Sequence, residues 1–182
     1  TVWSNLVMTA GLRAGQLVLL HGGASGVGSH AIQVAKALDA VVAVTAGSPE
    51  KLATCAELGA DITINYREDD FVAVLAERGG ADLILDIMGA AYLDRNIDAL
   101  AADGQLIVIG MQGGVKGELN LGKLITKRAR VIGTSLRGRS ADAKAAVTAS
   151  VIEHVWPMVA DGRVRTVIGE RLPITEAGTA HA

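Results

Sequence analysis

Three patterns stand next to one another near the start of the sequence, and together they restrict the fold more than any other feature. Residues 17–20 are continuously apolar, residues 22–28 contain four glycines, and residues 31–38 repeat apolar side chains at helical spacing. A short apolar run that ends in glycine is typical of a buried strand. The segment therefore predicts a strand, a tight turn and a helix, the unit from which parallel sheets are built.

The same unit recurs along the chain, after an opening helix within residues 2–12. Further strands are predicted at residues 41–45, 62–64, 83–86, 106–109 and 131–134, and helices at residues 48–59, 71–77, 92–100 and 141–159. Short connections between alternating strands and helices require right-handed crossovers and a parallel sheet. We therefore predict an α/β fold of the Rossmann type: a doubly wound, six-stranded parallel sheet in the order 3-2-1-4-5-6, with helices on both faces.

Composition excludes several classes of partner. A formal net charge of -2 leaves no broad basic surface for nucleic acid or for an anionic membrane. No apolar run reaches the length of about eighteen residues that a membrane span needs. The single Cys55 excludes an internal disulfide and fits a reducing compartment. The sequence thus predicts a cytoplasmic protein that binds a small molecule.

The glycine-rich segment has the spacing of a phosphate-binding turn. Gly23, Ser25 and Gly28 occupy the positions of G-x-G-x-x-G, with serine in the middle. Glycine allows a tight turn and a close approach to a diphosphate, and the helix N-terminus adds oriented N–H groups. A turn that only connects strand and helix is the alternative. The residues expected at a dinucleotide diphosphate are Gly23, Ala24, Ser25, Gly26, Val27 and Gly28.

The end of the second strand indicates which dinucleotide binds. NAD enzymes usually carry an acid about twenty residues after the glycines, whereas this sequence has Gly47, Ser48 and, one helical turn later, Lys51. A carboxylate would repel a 2′-phosphate, while a hydroxyl, free helix N–H groups and a lysine attract one. We therefore predict NADPH rather than NADH. Ser48 as an ordinary helix cap and Lys51 as a solvated side chain are the alternatives.

The glycines also fit the G-x-x-x-G-x-G of short-chain dehydrogenases. Those enzymes need a catalytic Tyr-x-x-x-Lys, but Asp70 and Asn96 stand four residues after Tyr66 and Tyr92. The short-chain interpretation therefore lacks its catalytic residues.

Eight motifs follow one another over nearly the whole chain: TVWSNL, LHGGASGVGSHAIQVAKAL, TAGSPEKL, ELGAD, INYRED, LILDIMGAAYLDRNIDAL, DGQLIVIGMQGG and VIGTSLRGR. Together they resemble the zinc-independent medium-chain dehydrogenases and reductases of the quinone oxidoreductase, or zeta-crystallin-like, branch. The resemblance implies hydride transfer from NADPH to a small-molecule electron acceptor, a quinone or an α,β-unsaturated carbonyl. It also implies that no metal is bound.

The resemblance implies further residues of the cofactor site. Tyr66 is expected to reach the adenosine phosphate and Trp3 to lie beside the cofactor, with helix packing as the alternative for Trp3. The nicotinamide half is expected against the loops that follow the fourth, fifth and sixth strands, at Ile87, Met88, Gly89, Ile109, Gly110, Met111, Gln112, Ser135, Leu136 and Arg137. No catalytic residue is assigned, because the other wall of such a site comes from a second domain.

Members of the resembled family carry that second, GroES-like domain on the same polypeptide. We expect residues 1–163 to form the NADPH-binding domain and residues 164–182 to be a truncated return segment toward the missing substrate domain. The local pattern predicts strand pieces at 164–168 and 172–174 and the start of a helix at 176–182. The resemblance also implies a homodimer through the sixth strand.

Two other functions fit the same residues. An enoyl-thioester reductase module of a larger synthase has a similar nucleotide-binding half, and a nucleotide-sensing domain would bind the cofactor without catalysis. In either reductase, the isolated chain is expected to be poorly active, because orienting the reactants and excluding water need both walls of the cleft.

Overall fold

The sheet has the architecture predicted from the sequence. The structure is a computed structural model that describes residues 1–181. The strands are β1 Leu17–His21, β2 Val41–Ala46, β3 Ile62–Asn65, β4 Ala81–Asp86, β5 Leu100–Val108 and β6 Arg130–Gly133. They are all parallel and lie in the order β3-β2-β1-β4-β5-β6, which confirms the predicted topology.

Five helices lie in the connections between the strands, and α6 and α7 follow the last strand. They are α1 Gly26–Ala37, α2 Pro49–Glu57, α3 Phe71–Ala76, α4 Leu93–Ala99, α5 Leu121–Lys127, α6 Ala141–Ala160 and α7 Ala177–Ala180. A π-helical turn spans Ser4–Thr9, and 3₁₀ turns span Gly89–Tyr92 and Ile174–Glu176. The first turns of five helices donate a backbone N–H to the side chain of the residue before them, namely Ser25, Ser48, Asp70, Asn120 and Ser140. These caps fix where the five helices begin.

Alternate side chains of β1 point to opposite faces of the sheet, and each face has its own core. Val18 and Leu20 pack with residues of α1, α2 and α6, whereas Leu17 and Leu19 pack with residues of α3 and α4. The predicted helices on both faces are therefore confirmed. Burial on both faces explains the uninterrupted apolar run, since such a strand has no side that faces water.

Helix α5 was not predicted from the sequence. It begins after the Asn120 cap and ends at Arg128, which adopts a left-handed backbone with a φ of 51°. None of its residues is buried. The apolar spacing that identifies a helix packed on a core is therefore weak in this segment.

The strand pieces predicted at 164–168 and 172–174 are wrong. The described part of the tail contains no strand after β6. The backbone of Arg165 instead bonds to the Gln33 side chain of α1, which donates to the Arg165 carbonyl at 3.0 Å and accepts its N–H at 2.8 Å. A side-chain amide therefore replaces a neighbouring strand as the partner of this segment. The predicted helix start appears as α7, with Ala182 outside the described residues, and the domain boundary at residue 163 stays a prediction.

Candidate cofactor site

Loops that follow the carboxyl ends of the strands meet at one edge of the sheet, where doubly wound folds bind ligands. One cavity there, the glycine-turn cavity, has a volume of about 260 Å³ and is lined by Gly22, Ala24, Ser25, Ala46, Gly47, Lys51, Tyr66, Ile87 and Gln112. All of these except Gly22 and Ala46 were predicted as site residues. Residues from five different loops therefore surround one space.

The turn between β1 and α1 leaves several backbone donors free. Ser25 caps α1 by accepting the Gly28 N–H at 3.0 Å. The N–H groups of Ala24, Gly26 and Val27 have no acceptor within residues 1–181. Free N–H groups at the start of a twelve-residue helix, together with its dipole, favour an anion.

Gly28 is required by the close packing of α1 on the turn. A Cβ at this position would lie 2.6 Å from the Gly23 carbonyl oxygen, a contact that backbone atoms cannot relieve. A glycine at the third position of this motif brings the helix close against the strand. The turn therefore has the steric requirements expected of the motif.

The end of β2 brings Gly47, Ser48 and Lys51 to the same edge. Ser48 accepts the backbone N–H of Lys51 at 3.4 Å, which confirms its role as a cap. The Lys51 side chain is exposed and makes no ion pair within the described part of the chain. A hydrogen bond from Ser48 lowers the pKa of the Glu50 carboxyl, so an ionised carboxylate lies beside Ser48 at the start of α2.

Tyr66 follows β3 and lies against the same loop. Its ring carbon Cζ is 2.7 Å from the position that a Cβ would take on Gly47. The tyrosine side chain is 45% exposed, and it lines the glycine-turn cavity together with Lys51. The predicted adenosine-end residues are thus brought together in space.

The loops after β4 and β5 are joined to each other by backbone hydrogen bonds. The Ile87 carbonyl accepts the Gln112 N–H at 3.1 Å, and the Met88 carbonyl accepts the Gly113 N–H at 2.7 Å. These residues were predicted to border the nicotinamide half, except for Gly113. The two loops therefore form one wall of the site.

Asp86, the last residue of β4, holds the start of this wall. Its carboxyl oxygens accept the N–H groups of Met88 at 2.7 Å and Gly89 at 2.9 Å. The side chain is fully buried, and burial raises the pKa of its carboxyl. Two backbone donors offset part of the cost of burying this group.

A second cavity, of about 210 Å³, lies beside β6 and is lined by four more of the residues predicted for the nicotinamide half, whereas Met88, Gly89, Gly110 and Met111 line neither cavity. Its lining residues are Thr1, Ser4, Asn5, Ile109, Thr134, Ser135, Leu136, Arg137 and Arg139. Ile109, Ser135, Leu136 and Arg137 were predicted from the resemblance. Asn5, Thr134 and Arg139 were not, because polar residues in loops give no periodic signal.

Trp3 lines neither of these cavities. Its indole N–H donates to the Ser150 hydroxyl at 2.8 Å, and its ring stacks on His154 with a centroid distance of 5.1 Å. Only 5% of Trp3 is exposed. These contacts pack the N-terminal turn on α6, and Trp3 also lines a third cavity with Gly26 and Val27 of the glycine turn, so its place beside the cofactor stays a prediction.

Sequence reasoning missed a group of buried polar side chains under the glycine turn. His21, Thr45, Asn96 and Asp86 are each at most 3% exposed. Burial lowers the pKa of His21 to about 4, so its imidazole is neutral at physiological pH. His21 and Asp86 are each the last residue of a buried strand. A polar residue at the end of a buried strand is the sequence signal that could have identified these buried polar side chains.

Within residues 1–181, no three side chains of the metal-ligating types are grouped closely enough to hold an ion. The expectation that no zinc is bound stays a prediction. None of the helices in the same part of the chain combines the length and the apolar character needed to cross a bilayer.

A doubly wound parallel sheet with a capped glycine turn at its carboxyl edge defines the class of Rossmann-type nucleotide-binding domains. Within that class, the chain belongs to the zinc-binding dehydrogenase family, whose model matches residues 26–151. It is 30% identical to a quinone oxidoreductase of Rattus norvegicus over 97% of this chain and 53% of that protein. It is also 30% identical to a quinone oxidoreductase of Pseudomonas aeruginosa over 97% of this chain and 55% of the relative.

Solved structures show the same relationship. The Escherichia coli quinone oxidoreductase in complex with NADPH superposes with a TM-score of 0.85 at 30% identity, over 99% of this chain and 56% of that one. An enoyl reductase domain described as that of a polyketide synthase superposes with a TM-score of 0.76 at 27% identity, over 94% of this chain and 95% of that one. The chain spans about half the length of the curated relatives it matches.

Proposed function

We propose that this chain is the NADPH-binding half of an oxidoreductase that reduces quinones or α,β-unsaturated carbonyls by hydride transfer. The observation that carries the proposal is the set of free N–H groups of Ala24, Gly26 and Val27 at the start of α1. They face no acceptor of the protein's own and suit the diphosphate of a dinucleotide. The E. coli relative whose structure contains NADPH has this fold.

NADPH is the proposed dinucleotide because of the groups at the end of β2. Lys51 makes no ion pair within residues 1–181 and lines the glycine-turn cavity. The first turn of α2 adds few free donors, because Pro49 has no N–H and Ser48 caps the Lys51 N–H. The Glu50 carboxylate beside Ser48 opposes an anion, so the preference depends on Lys51 and on the positive end of the α2 dipole. Tyr66 would close the adenosine end over Gly47.

The joined loops after β4 and β5 and the cavity beside β6 would hold the nicotinamide half. NADPH bound there would supply a hydride, and the residues of this chain would bind it, orient it and exclude water from one side. The acceptor and the proton donor need the opposite wall, which we assign to a substrate domain of the same polypeptide. We therefore expect little reductase activity from this chain by itself.

An enoyl-thioester reductase module is the second candidate. The observation that favours it is the similarity to the enoyl reductase domain of a polyketide synthase, which this chain matches along nearly its whole length. Both candidates transfer a hydride from NADPH to an electron-poor double bond, so the nucleotide-binding half is the same for both.

The proposal also includes a homodimer formed through β6. This strand is the last in the sheet order, so one of its edges has no neighbouring strand within the described chain. Val131 is 36% exposed on it. Pairing of two such edges would satisfy backbone groups that otherwise face water.

The acceptor is tested on the polypeptide that joins this chain to its substrate domain. Oxidation of NADPH is measured with a quinone, an enone and an enoyl thioester as acceptors. Faster turnover of the quinone or enone supports the first candidate, and faster turnover of the thioester supports the second. Tight binding of NADPH without oxidation by any acceptor would overturn both in favour of a nucleotide sensor.

A further inference from the structure

Four buried side chains link the glycine turn to the loop after β4. Thr45 of β2 is in contact with the turn at two points, since its hydroxyl accepts the Gly22 N–H at 3.3 Å and its carbonyl accepts the Gly23 N–H at 2.9 Å. The same hydroxyl lies 3.0 Å from Nδ1 of His21. His21 Nε2 in turn lies 2.8 Å from Oδ1 of Asn96.

The direction of these hydrogen bonds follows from the groups at the two ends. Asn96 Oδ1 can only accept, so His21 carries its single proton on Nε2 and donates it. Nδ1 is then an acceptor, and the Thr45 hydroxyl donates to it while accepting from Gly22. Every donor in the series therefore points the same way, from the glycine turn toward Asn96.

The far end of the series is the Asp86 carboxyl. The Asn96 amide lies close enough to favour the charged form of Asp86, and Nδ2 of Asn96 has no hydrogen-bond partner within residues 1–181. Reversing the amide would turn its oxygen toward this carboxyl and create a repulsion, which supports the orientation described. The Asn96 amide and the Asp86 carboxyl are therefore adjacent but not directly hydrogen-bonded, and a single buried water between them would complete the series.

Asp86 is hydrogen-bonded to the other half of the site. Its carboxyl oxygens hold the N–H groups of Met88 and Gly89. The Met88 carbonyl holds the Gly113 N–H of the loop after β5. Two hydrogen-bonded groups, one from the glycine turn to Asn96 and one from Asp86 to both loops expected at the nicotinamide, therefore meet where Asn96 faces Asp86.

We propose that Thr45, His21, Asn96 and Asp86, the buried polar chain, act as positioning residues that fix the distance between the glycine turn and the loop after β4. The positioning of a cofactor rests on the proposed function, whereas the link between the two loops does not. A dinucleotide contacts both loops at once, so a fixed separation lowers the ordering cost of binding. It also holds the nicotinamide in one place for hydride transfer.

The side chains around His21 hold the buried polar chain in a single arrangement. The rings of Phe71 and Tyr92 meet the imidazole edge to face, each at a centroid distance of 5.0 Å. The Arg95 guanidinium lies 4.4 Å above the centre of the Phe71 ring. Because the imidazole is enclosed, a second proton on it would lie in an apolar environment beside a cation, and the neutral ring is retained.

The first test uses the cofactor-free chain and needs no variant. The nitrogen chemical shifts of the His21 imidazole show which ring nitrogen carries the proton. We expect a proton on Nε2 and none on Nδ1, with slow exchange of the Nε2 proton. A proton on Nδ1 would overturn the proposal, because Thr45 could then not donate to this ring.

The second test measures whether the two loops are linked. Thr45→Val removes the hydroxyl at nearly constant shape, and Thr45→Ser keeps the hydroxyl. Thr54→Val removes an exposed hydroxyl of α2 that bonds only to the Glu50 carbonyl and serves as a control. Amide hydrogen exchange is measured at Met88 and Gly89, which Thr45 does not touch, and at Leu19 in the centre of the sheet.

In Thr45→Val, we expect exchange at Met88 and Gly89 to accelerate about tenfold relative to Leu19, the effect of losing about one buried hydrogen bond. Thr45→Ser and Thr54→Val should leave this ratio unchanged. An unchanged ratio in Thr45→Val would overturn the proposal, since the variant would then act only locally or only on global stability. If the wild type fails to bind NADPH while Thr45→Val shows the selective acceleration, the proposed function is contradicted and the link is retained.

Discussion

The ring of Tyr66 lies directly against Gly47, so close that its Cζ is 2.7 Å from the place where any larger residue would carry its Cβ. The two residues follow neighbouring strands, β3 and β2, and both line the glycine-turn cavity. The absence of a side chain at position 47 therefore permits the position of the tyrosine. This contact connects a small residue in the sequence to the shape of the proposed adenosine site.

Replacing this glycine tests the importance of the contact. In Gly47→Ala the new methyl group displaces the Tyr66 ring, and we expect NADPH affinity to fall about tenfold with little change in the free energy of unfolding. Gly169→Ala is the matched control, because a Cβ at position 169 meets no atom within 4 Å. Calorimetric titration with NADPH measures the effect. Equal affinities for Gly47→Ala and the wild type would refute a role for Tyr66 over Gly47.

The choice between NADPH and NADH is tested at Lys51. Lys51→Ala should weaken NADPH binding about tenfold and leave NADH nearly unchanged, since the lost contact is a charge-assisted one with the 2′-phosphate at an exposed site. Glu50→Gln is the control, because it removes the neighbouring negative charge and should strengthen NADPH binding slightly. A similar loss for both dinucleotides in Lys51→Ala would disprove the phosphate assignment.

The proposed dimer is tested at the outer edge of β6. The Thr134 N–H donates to the Val108 carbonyl of β5, so by alternation the N–H of Ile132 also faces β5 and that of Val131 faces outward. Val131→Pro therefore removes an outward donor without breaking the sheet, and we expect sedimentation to shift toward monomer. Val131→Thr keeps the donor and should remain dimeric. A dimer of unchanged mass in Val131→Pro would count against pairing through β6.

The stability of the fold should depend on pH through His21. Its pKa falls from 6.5 in the unfolded chain to about 4 when buried, so the unfolded state takes up a proton first as the pH drops. The stability is therefore fully present above about pH 6.5 and decreases toward pH 4. Asp86 acts in the opposite sense, because burial raises its pKa.

Urea unfolding measures this dependence. Between pH 7 and pH 5, we expect the free energy of unfolding to fall by about 2 kcal/mol more in the wild type than in His21→Gln. His30, whose pKa is also lowered by burial, remains in both proteins and cancels in the comparison. If the free energy of unfolding falls equally with pH in the two proteins, His21 takes up a proton as readily in the folded state as in the unfolded one.

Periodicity was sufficient to predict the sheet and most of the helices. The apolar run of β1 predicts a strand clearly because both faces of that strand are buried. The start of α2 is predicted clearly because Ser48 and Pro49 mark it. Helix α5 has no buried residue, so its sequence lacks the corresponding signal. The tail was misread because its apolar residues are mostly exposed, Val164 excepted, and the backbone of Arg165 is paired by the Gln33 side chain of α1 instead of by a strand.

The candidate site was predicted less completely than the fold. The glycine spacing and the end of β2 identified residues that do surround one cavity. The buried polar chain could not be predicted from the sequence, because Thr45 and Asn96 are 51 positions apart and are connected only through His21. Trp3 was placed by resemblance alone, and its contacts with Ser150 and His154 depend on the packing of α6.

The most direct measurement follows backbone amide resonances of the chain during titration with NADPH. We expect saturable shifts at Ala24, Gly26 and Val27, whose N–H groups would bind the diphosphate. Gly15 and Gly80, which line a cavity at the opposite edge of the sheet, should not shift. Saturable shifts confined to that opposite edge, or no saturable shift at the glycine turn, would contradict the claim that this turn binds a dinucleotide.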